Sequence, residues 1–184
     1  MLGKSIIIAA YAGTGKTTAA TLYPEAVTDF VCMPYKYTLE QDDDAGEAGK
    51  ANPNNVMRDE WPRNYVNAIK AAMAENRALL IPTDIFVLGL LQRENIPYWL
   101  IYPRREARDA YHRRFLERGN TEDFIDVFIG GWDRFLGAFE QDAYGRHIVL
   151  EPHQYLSDVF TANPVLTDME EKRGPSNHGI HTLA

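Results

Sequence analysis

Nine residues, Ala10 to Thr18 (AYAGTGKTT), constrain the fold more than any other segment. They carry a glycine-rich turn, a lysine and a threonine at the spacing G-x-x-x-x-G-K-T, with Ala10 standing where the first glycine usually does. The flanks are what such a turn requires. Ser5 to Ala10 (SIIIAA) is β-branched and apolar without alternation, the pattern of a strand buried on both faces. Lys16 to Tyr23 reads as a helix stopped by Pro24. Gly13 and Gly15 let the backbone turn so that successive N–H groups point inward, as an anion demands. The positive end of the following helix adds to that field. Lys16 brings a mobile point charge to the outer phosphates of a nucleotide, and Thr17 a hydroxyl for Mg²⁺. The plainer reading, a glycine-rich turn with an exposed lysine, leaves the match of spacing with strand and helix unexplained.

Further strands alternate with helices along the chain. Ala26 to Tyr37 reads as a second strand ending near Pro34, and Ala78 to Pro82, Pro97 to Pro103 and His147 to Glu151 as a third, fourth and fifth. A helix is expected over Glu60 to Asn76, where Trp61, Tyr65, Ile69 and Met73 recur every four residues as one stripe. Others are expected over Ile85 to Glu94, Arg104 to Arg118, Thr121 to about Asp142 and Tyr155 to Phe160. Gly119-Asn120 is a C-terminal stop and Thr121 an N-cap. Glu40 to Asn55 is polar, with three aspartates in a row and two glycines, and reads as a long mobile loop. The expected organisation is one α/β domain over 1–162, with a parallel sheet covered on both faces, and a polar tail over 163–184.

On the residues Gly13-Thr14-Gly15-Lys16-Thr17-Thr18 the chain resembles the P-loop kinases, and among them the nucleoside-monophosphate (adenylate) kinase-like group. A second segment, Arg114-Phe115-Leu116-Glu117-Arg118, is similar to that group's helix at the edge of the lid, which carries two arginines four residues apart. One turn separates them, so both lie on one helix face. The resemblance implies a three-layer P-loop NTPase fold with a five-stranded parallel sheet and helices on both faces. It implies that Tyr11, Ala12, Gly13, Thr14, Gly15, Lys16, Thr17 and Thr18 cradle ATP, that Arg114 packs near the base, and that Arg118 reaches the phosphates. Two departures stand out. Pro82-Thr83-Asp84 replaces the family's Asp-Gly-Phe-Pro-Arg type of segment, and Gly119-Asn120-Thr121 leads straight into a helix where a lid would be inserted. Reduced phage and bacterial kinases of this fold are similar.

Other residues join the candidate site by position. Asp84 stands past the carboxyl end of the third strand, where open α/β sheets bind ligands. It is a candidate Mg²⁺ partner with Thr17, a candidate for orienting an acceptor hydroxyl, and equally a helix cap. In several small-molecule kinases of this fold an acid after the second strand takes the acceptor's proton, and Asp29, which begins or lies within that strand, stands early for this role. Tyr35, Lys36, Arg58 and Arg63 should face the acceptor, with rings to stack on a base and cations to meet a phosphate. Six arginines fall in the fifteen residues from Arg104 to Arg118. Arg104, Arg105, Arg108 and Arg113 are as well read as a solvated helix face, while Arg114 and Arg118 lead as ligands. Trp61, Trp99 and Trp132 read as core, and the lone cysteine, Cys32, as a small buried hydrophobe. Glu151-Pro152-His153 follows the fifth strand, where this fold commonly meets adenine through backbone groups.

The chain of 184 residues carries a formal charge of −7, which argues against coating nucleic acid by bulk charge. No apolar run reaches the roughly 20 residues of a membrane span, and the run Ile6 to Ala10 is too short for a signal peptide. A cytoplasmic protein without membrane partners is expected. The expected activity is an ATP- and Mg²⁺-dependent phosphotransferase with a small nucleotide or nucleoside acceptor, Lys16, Arg118 and Asp84 doing the chemistry. The alternatives are a regulatory ATPase without a small acceptor, and a kinase of modified bases or nucleic-acid ends.

Overall fold

A computed structural model of the chain describes residues 5–38, 56–75, 77–163 and 166. In order these form β1 (Ile6–Ala10), α1 (Lys16–Leu22), β2 (Val27–Asp29), α2 (Met33–Lys36), β3 (Tyr37–Thr38), β4 (Val56–Met57), α3 (Arg63–Ala72), β5 (Ala78–Pro82), α4 (Ile85–Arg93), β6 (Trp99–Pro103), α5 (Arg108–Glu117), α6 (Glu122–Ile125), α7 (Trp132–Glu140), β7 (Arg146–Leu150) and α8 (Leu156–Ala162). Five strands form one all-parallel sheet in the order β2-β5-β1-β6-β7, and β3 pairs with β4 as a separate antiparallel ribbon. The chain is thus an α/β protein with helices on both faces of a parallel sheet.

β1 shows why its sequence does not alternate. Ile7 and Ala9 point to one face, with Leu79, Ile81 and Leu100, against apolar residues of α3, α4, α5 and α7. Ile8 and Ala10 point to the other, with Leu80 and Ile101, against α1 and α8. Both faces are buried, so every β1 position is apolar. The register Ala10↔Pro82 ends β1 and β5 level, below the glycine-rich loop, whereas Ala10↔Ile101 leaves β6 two residues longer.

Four expectations change. β2 is only three residues long, although Phe30 N–H still donates to Leu80 C=O (2.8 Å). Pro34 lacks a ladder donor and its fixed φ suits a helix's first turn, so the chain coils into α2 instead. The helix expected from Glu60 begins at Arg63, behind Pro62 at its N-cap, and ends in a 3₁₀ turn, Met73–Glu75. The helix expected over 121–142 is broken into α6, a π-helical turn (Asp126–Gly130) and α7. Gly131 lies at the break, where a Cβ would meet the Val127 carbonyl oxygen at 2.6 Å and the Phe135 ring at 2.8 Å. Beyond α8, Leu166 is 1% exposed and packs with the α1/α8 core, so that stretch is not wholly a polar tail. The expected mobile loop, Glu40–Asn55, and most of the tail lie outside the described residues. No helix among the described residues is long and apolar enough to cross a membrane.

Candidate phosphate-binding site

The loop between β1 and α1 is held in place by everything except the groups an anion would use. Tyr11, the residue after β1, is fully buried. Its N–H donates to Ile101 C=O (3.0 Å) and its hydroxyl to Phe128 C=O (2.8 Å). Its ring packs edge-on against Phe128, Trp132 and Phe139. Burial pushes its hydroxyl pKa up. Tyr11 is therefore an anchor of the loop, with neither side chain nor N–H free for a ligand. Thr14 is also fully buried, its hydroxyl donating to Tyr11 C=O (2.8 Å) and its own C=O accepting from Leu156 N–H (2.9 Å).

What remains is a row of unused donors. Among the described residues the N–H groups of Ala12, Gly13, Gly15, Lys16, Thr17 and Thr18 have no acceptor, and α1 has no side-chain cap. Two left-handed glycines make the curl, Gly13 at φ 78° and Gly15 at φ 90°. Gly13 has no room for a side chain and Gly15 little. A Cβ on Gly13 would sit 2.6 Å from the Phe115 ring, and one on Gly15 3.3 Å from Tyr155. Lys16 folds back over the loop, its Nζ donating to Ala10 C=O (2.9 Å) and Tyr11 C=O (3.2 Å). Burial lowers its pKa to about 8, against the pull of Asp29 and Cys32, and the nearby Arg118 guanidinium lowers it further. Arg118 is exposed at the end of α5 and forms no ion pair among the described residues. Two cations thus converge on the loop with no carboxylate neutralising Arg118.

Asp29 and Asp84 take different places. The Thr17 hydroxyl donates to Asp29 Oδ2 (2.7 Å), so the acid beside Thr17 is the last residue of β2. Asp84 caps α4, Oδ1 accepting from Phe86 N–H (3.0 Å) and Val87 N–H (3.4 Å), while Oδ2 receives Lys36 Nζ (2.9 Å). The capping and the ionic roles therefore use separate oxygens. Among the described residues no three His, Cys, Asp or Glu side chains gather into a metal cage. The donor set of one hydroxyl and one carboxylate suits Mg²⁺, which keeps several waters and takes few protein ligands.

Lys36 lies 5.1 Å above the Trp61 ring, in a wall continued by the stacked rings of Phe30, Tyr35 and Tyr65. Trp61 and Trp99 are half-buried, Trp132 fully buried. Arg58 is exposed and its Nε donates to Tyr37 C=O (3.0 Å), while Arg63 is exposed at the start of α3. Cys32, only partly buried, lies close enough to Lys36, Asp84 and Lys16 for their charges to act on it, and burial pushes its thiol up to about 11. The sequence did not place Cys32 here, and it gave no sign of Tyr155, which packs on Gly15 and Arg114.

Arg114 is 9% exposed. It donates to Gly13 C=O (2.8 Å) and Pro152 C=O (3.1 Å), with its guanidinium between the rings of Tyr111 (4.3 Å) and Tyr155 (4.0 Å). Both of its flat faces are covered, so it has none left for a nucleotide base, and it clamps the loop to the β7–α8 turn. Three of the other arginines are spoken for: Arg104 pairs with Glu151 and Glu106, Arg105 with Asp133 and Glu140, and Arg108 donates to Ile129 C=O.

No protein-family model matches the chain, and the comparison with curated proteins finds no match.

Proposed function

We propose that the protein is a Mg²⁺-ATP-dependent phosphotransferase of the P-loop NTPase fold, akin to the nucleoside-monophosphate kinases, with a nucleotide or nucleoside acceptor. The observation that carries this reading is the row of six unpartnered N–H groups from Ala12 to Thr18, beside two cations whose mutual repulsion an anion would relieve. The loop N–H groups bind and orient the phosphates. They are fixed beforehand by Tyr11, Thr14 and Arg114, so little reorganisation accompanies charge development. Lys16 leaves the two carbonyls it now contacts and follows the transferred group, and Arg118, free at a helix end, forks its oxygens. Thr17 and Asp29 would hold magnesium, which would supply charge neutralisation to the phosphates when bound. On the acceptor side the aromatic wall receives a ring, and the Lys36–Asp84 pair meets its polar end. Asp84 orients a hydroxyl through the oxygen that Lys36 holds.

Phosphorus NMR of ATP turnover over a panel of nucleosides and nucleoside monophosphates tests this. A new ester or diphosphate resonance with one acceptor, absent in a folded Lys16→Ala variant, is expected. ATP broken down to inorganic phosphate at one rate whatever the acceptor would overturn the transferase reading.

A further inference from the structure

We propose that β7 is a docking edge for a second copy of this chain, two β7 strands pairing antiparallel about a two-fold axis at Ile148. The pairing does not depend on what the glycine-rich loop binds. β7 lies at one end of the parallel sheet, with β6 on one side and no strand of the described residues on the other. Its hydrogen-bond phase is fixed at both ends: Arg146 N–H donates to Tyr98 C=O (3.0 Å), and Arg104 N–H donates to Leu150 C=O (3.0 Å). Arg146, Ile148 and Leu150 therefore turn their peptide groups toward β6, and His147 and Val149 turn theirs outward. The outward row is closed at each end, since Gly145 N–H donates to Asp142 Oδ1 (2.9 Å) and Glu151 N–H to Gln154 Oε1 (2.9 Å). Between these stops the two N–H and two C=O groups of His147 and Val149 have no partner among the described residues.

A second β7 fits that window. Antiparallel pairing centred on Ile148 sets His147 against Val149 of the second copy, and Val149 against its His147. Each such pair exchanges two bonds, so the outward groups of both chains are all used. A two-fold closes the assembly, whereas copies added head to tail leave an edge open. The side chains agree with this register. Ile148 is half-buried and Val149 49% exposed. On the α1/α8 face Ile148 meets its own copy at the closest kind of antiparallel position, and on the other face Val149 is covered by His147 of the second copy. Charge agrees as well. Arg146 opens the strand, exposed, 5.6 Å from the Trp99 ring and without a carboxylate partner among the described residues. Glu151 follows the strand's end, and antiparallel pairing brings it beside Arg146 of the second copy. The sheet's opposite edge, β2, has only three residues, and a short edge resists pairing. β7 runs five residues without the proline or lysine that commonly blocks an edge. Joined in this way, two five-stranded sheets become one of ten, with the two glycine-rich loops pointing in opposite directions.

Sedimentation velocity of the full chain over a concentration series, with disulfide trapping of engineered cysteines in a Cys32→Ser background, tests the proposal. The wild-type protein should move from the 20.9 kDa chain toward twice that mass as its concentration rises to about 0.1 mM. Val149→Lys puts a charge on the edge and should weaken the association by about tenfold or more, with the circular dichroism spectrum unchanged. Ile148→Cys should form a disulfide between copies on mild oxidation, because residues facing each other across the axis stand about 4.5 Å apart at Cα. Val149→Cys should form one far more slowly, since the two copies of that residue lie diagonally, about 7–8 Å apart. A wild-type chain that stays monomeric at about 0.1 mM overturns the proposal, whether its own C-terminal segment takes the edge or nothing does. So does a dimer that Val149→Lys leaves intact, or one that cross-links through Val149→Cys as readily as through Ile148→Cys, since either places the contact elsewhere. Should Val149→Lys fail to fold, the cysteine pair decides alone.

Discussion

Around the loop between β1 and α1 buried restraints converge from three sides, whereas around Lys36 short elements are joined mostly by contacts of single side chains. The loop is fixed by Tyr11 from below, by Thr14 through Leu156, and by Arg114 through Pro152. Its approach strand, β1, is five residues long and paired on both edges. Across β5, the proposed acceptor side consists of a three-residue strand, a single helical turn and two two-residue strands. It is joined to α4 by the Lys36–Asp84 pair and to α3 by Asn64 donating to Tyr35 C=O and stacked rings. Under the proposed function the contrast fits two tasks. A triphosphate presents the same oxygens every time and rewards a site built in advance. An acceptor must enter, be enclosed and leave, which favours elements with little stability of their own.

The largest expected effect breaks the rigid half. Arg114→Ala leaves the carbonyls of Gly13 and Pro152 without their charged donor and opens a gap between two rings. A stability loss of about 2–4 kcal/mol in denaturant titrations is expected, with ATP affinity falling as the loop loosens. A loss below about 0.5 kcal/mol would mean that Tyr11 and Thr14 hold the loop alone.

The same contrast governs what the sequence reveals. β1, the glycines and Lys16 are legible because backbone geometry dictates residue type there. A left-handed turn in a tight space needs glycine, and a strand buried on both faces needs an apolar run. Asp84 was placed correctly at the carboxyl end of β5, since position on a strand suffices for that. The partner of Thr17 was not readable: Asp29 lies one strand beyond β5, and only the strand order brings it to α1. Arg114 shows the same limit from the other side. Its spacing from Arg118 is visible, but its burial depends on Tyr155, forty-one positions later in the chain. β2 stops at Asp29, five residues short of the Pro34 end that the apolar run suggested, and Pro34 instead lies in the first turn of α2.

A second effect uses proton linkage at Lys16, whose pKa in the free protein is lowered to about 8 by burial. The proton is held less tightly than in an unfolded chain, so the folded free protein gains stability as pH rises from about 8 toward the ordinary lysine range. That gain is lost as pH falls back through about 8. Triphosphate binding has the opposite sign, because its charge favours protonated Lys16. Affinity for ATP should therefore fall by about tenfold between pH 7 and pH 9, with proton uptake visible as a buffer-dependent heat. Lys16→Ala should flatten both trends. A stability that falls through this window, or an affinity indifferent to it, would separate Lys16 from the phosphate site.

The adaptable half should answer more gently and more selectively. Lys36→Met keeps a side chain over Trp61 and removes the charge from Asp84. The acceptor KM should rise by about three- to tenfold while the ATP Kd stays where it was. If both constants move together, the two halves are not independent, and the Lys36–Asp84 pair supports the whole cleft rather than its acceptor side.

The smallest effect tests whether Arg118 belongs to the rigid half at all. It follows α5 directly, ahead of the Gly119 turn that closes the helix through bonds from Gly119 to Leu116 and from Asn120 to Phe115. Those bonds are made by the backbone, so the helix end does not depend on the Arg118 side chain. Its charge still reaches Lys16. Arg118→Lys keeps the charge and loses the planar fork that can hold two phosphate oxygens at once. If the fork closes on the group in transit, kcat should drop by about three- to tenfold, with the ATP KM and the thermal midpoint unchanged. A shifted midpoint with full kcat would make Arg118 part of the scaffold, and would leave Lys16 the one side-chain cation that follows the phosphoryl group.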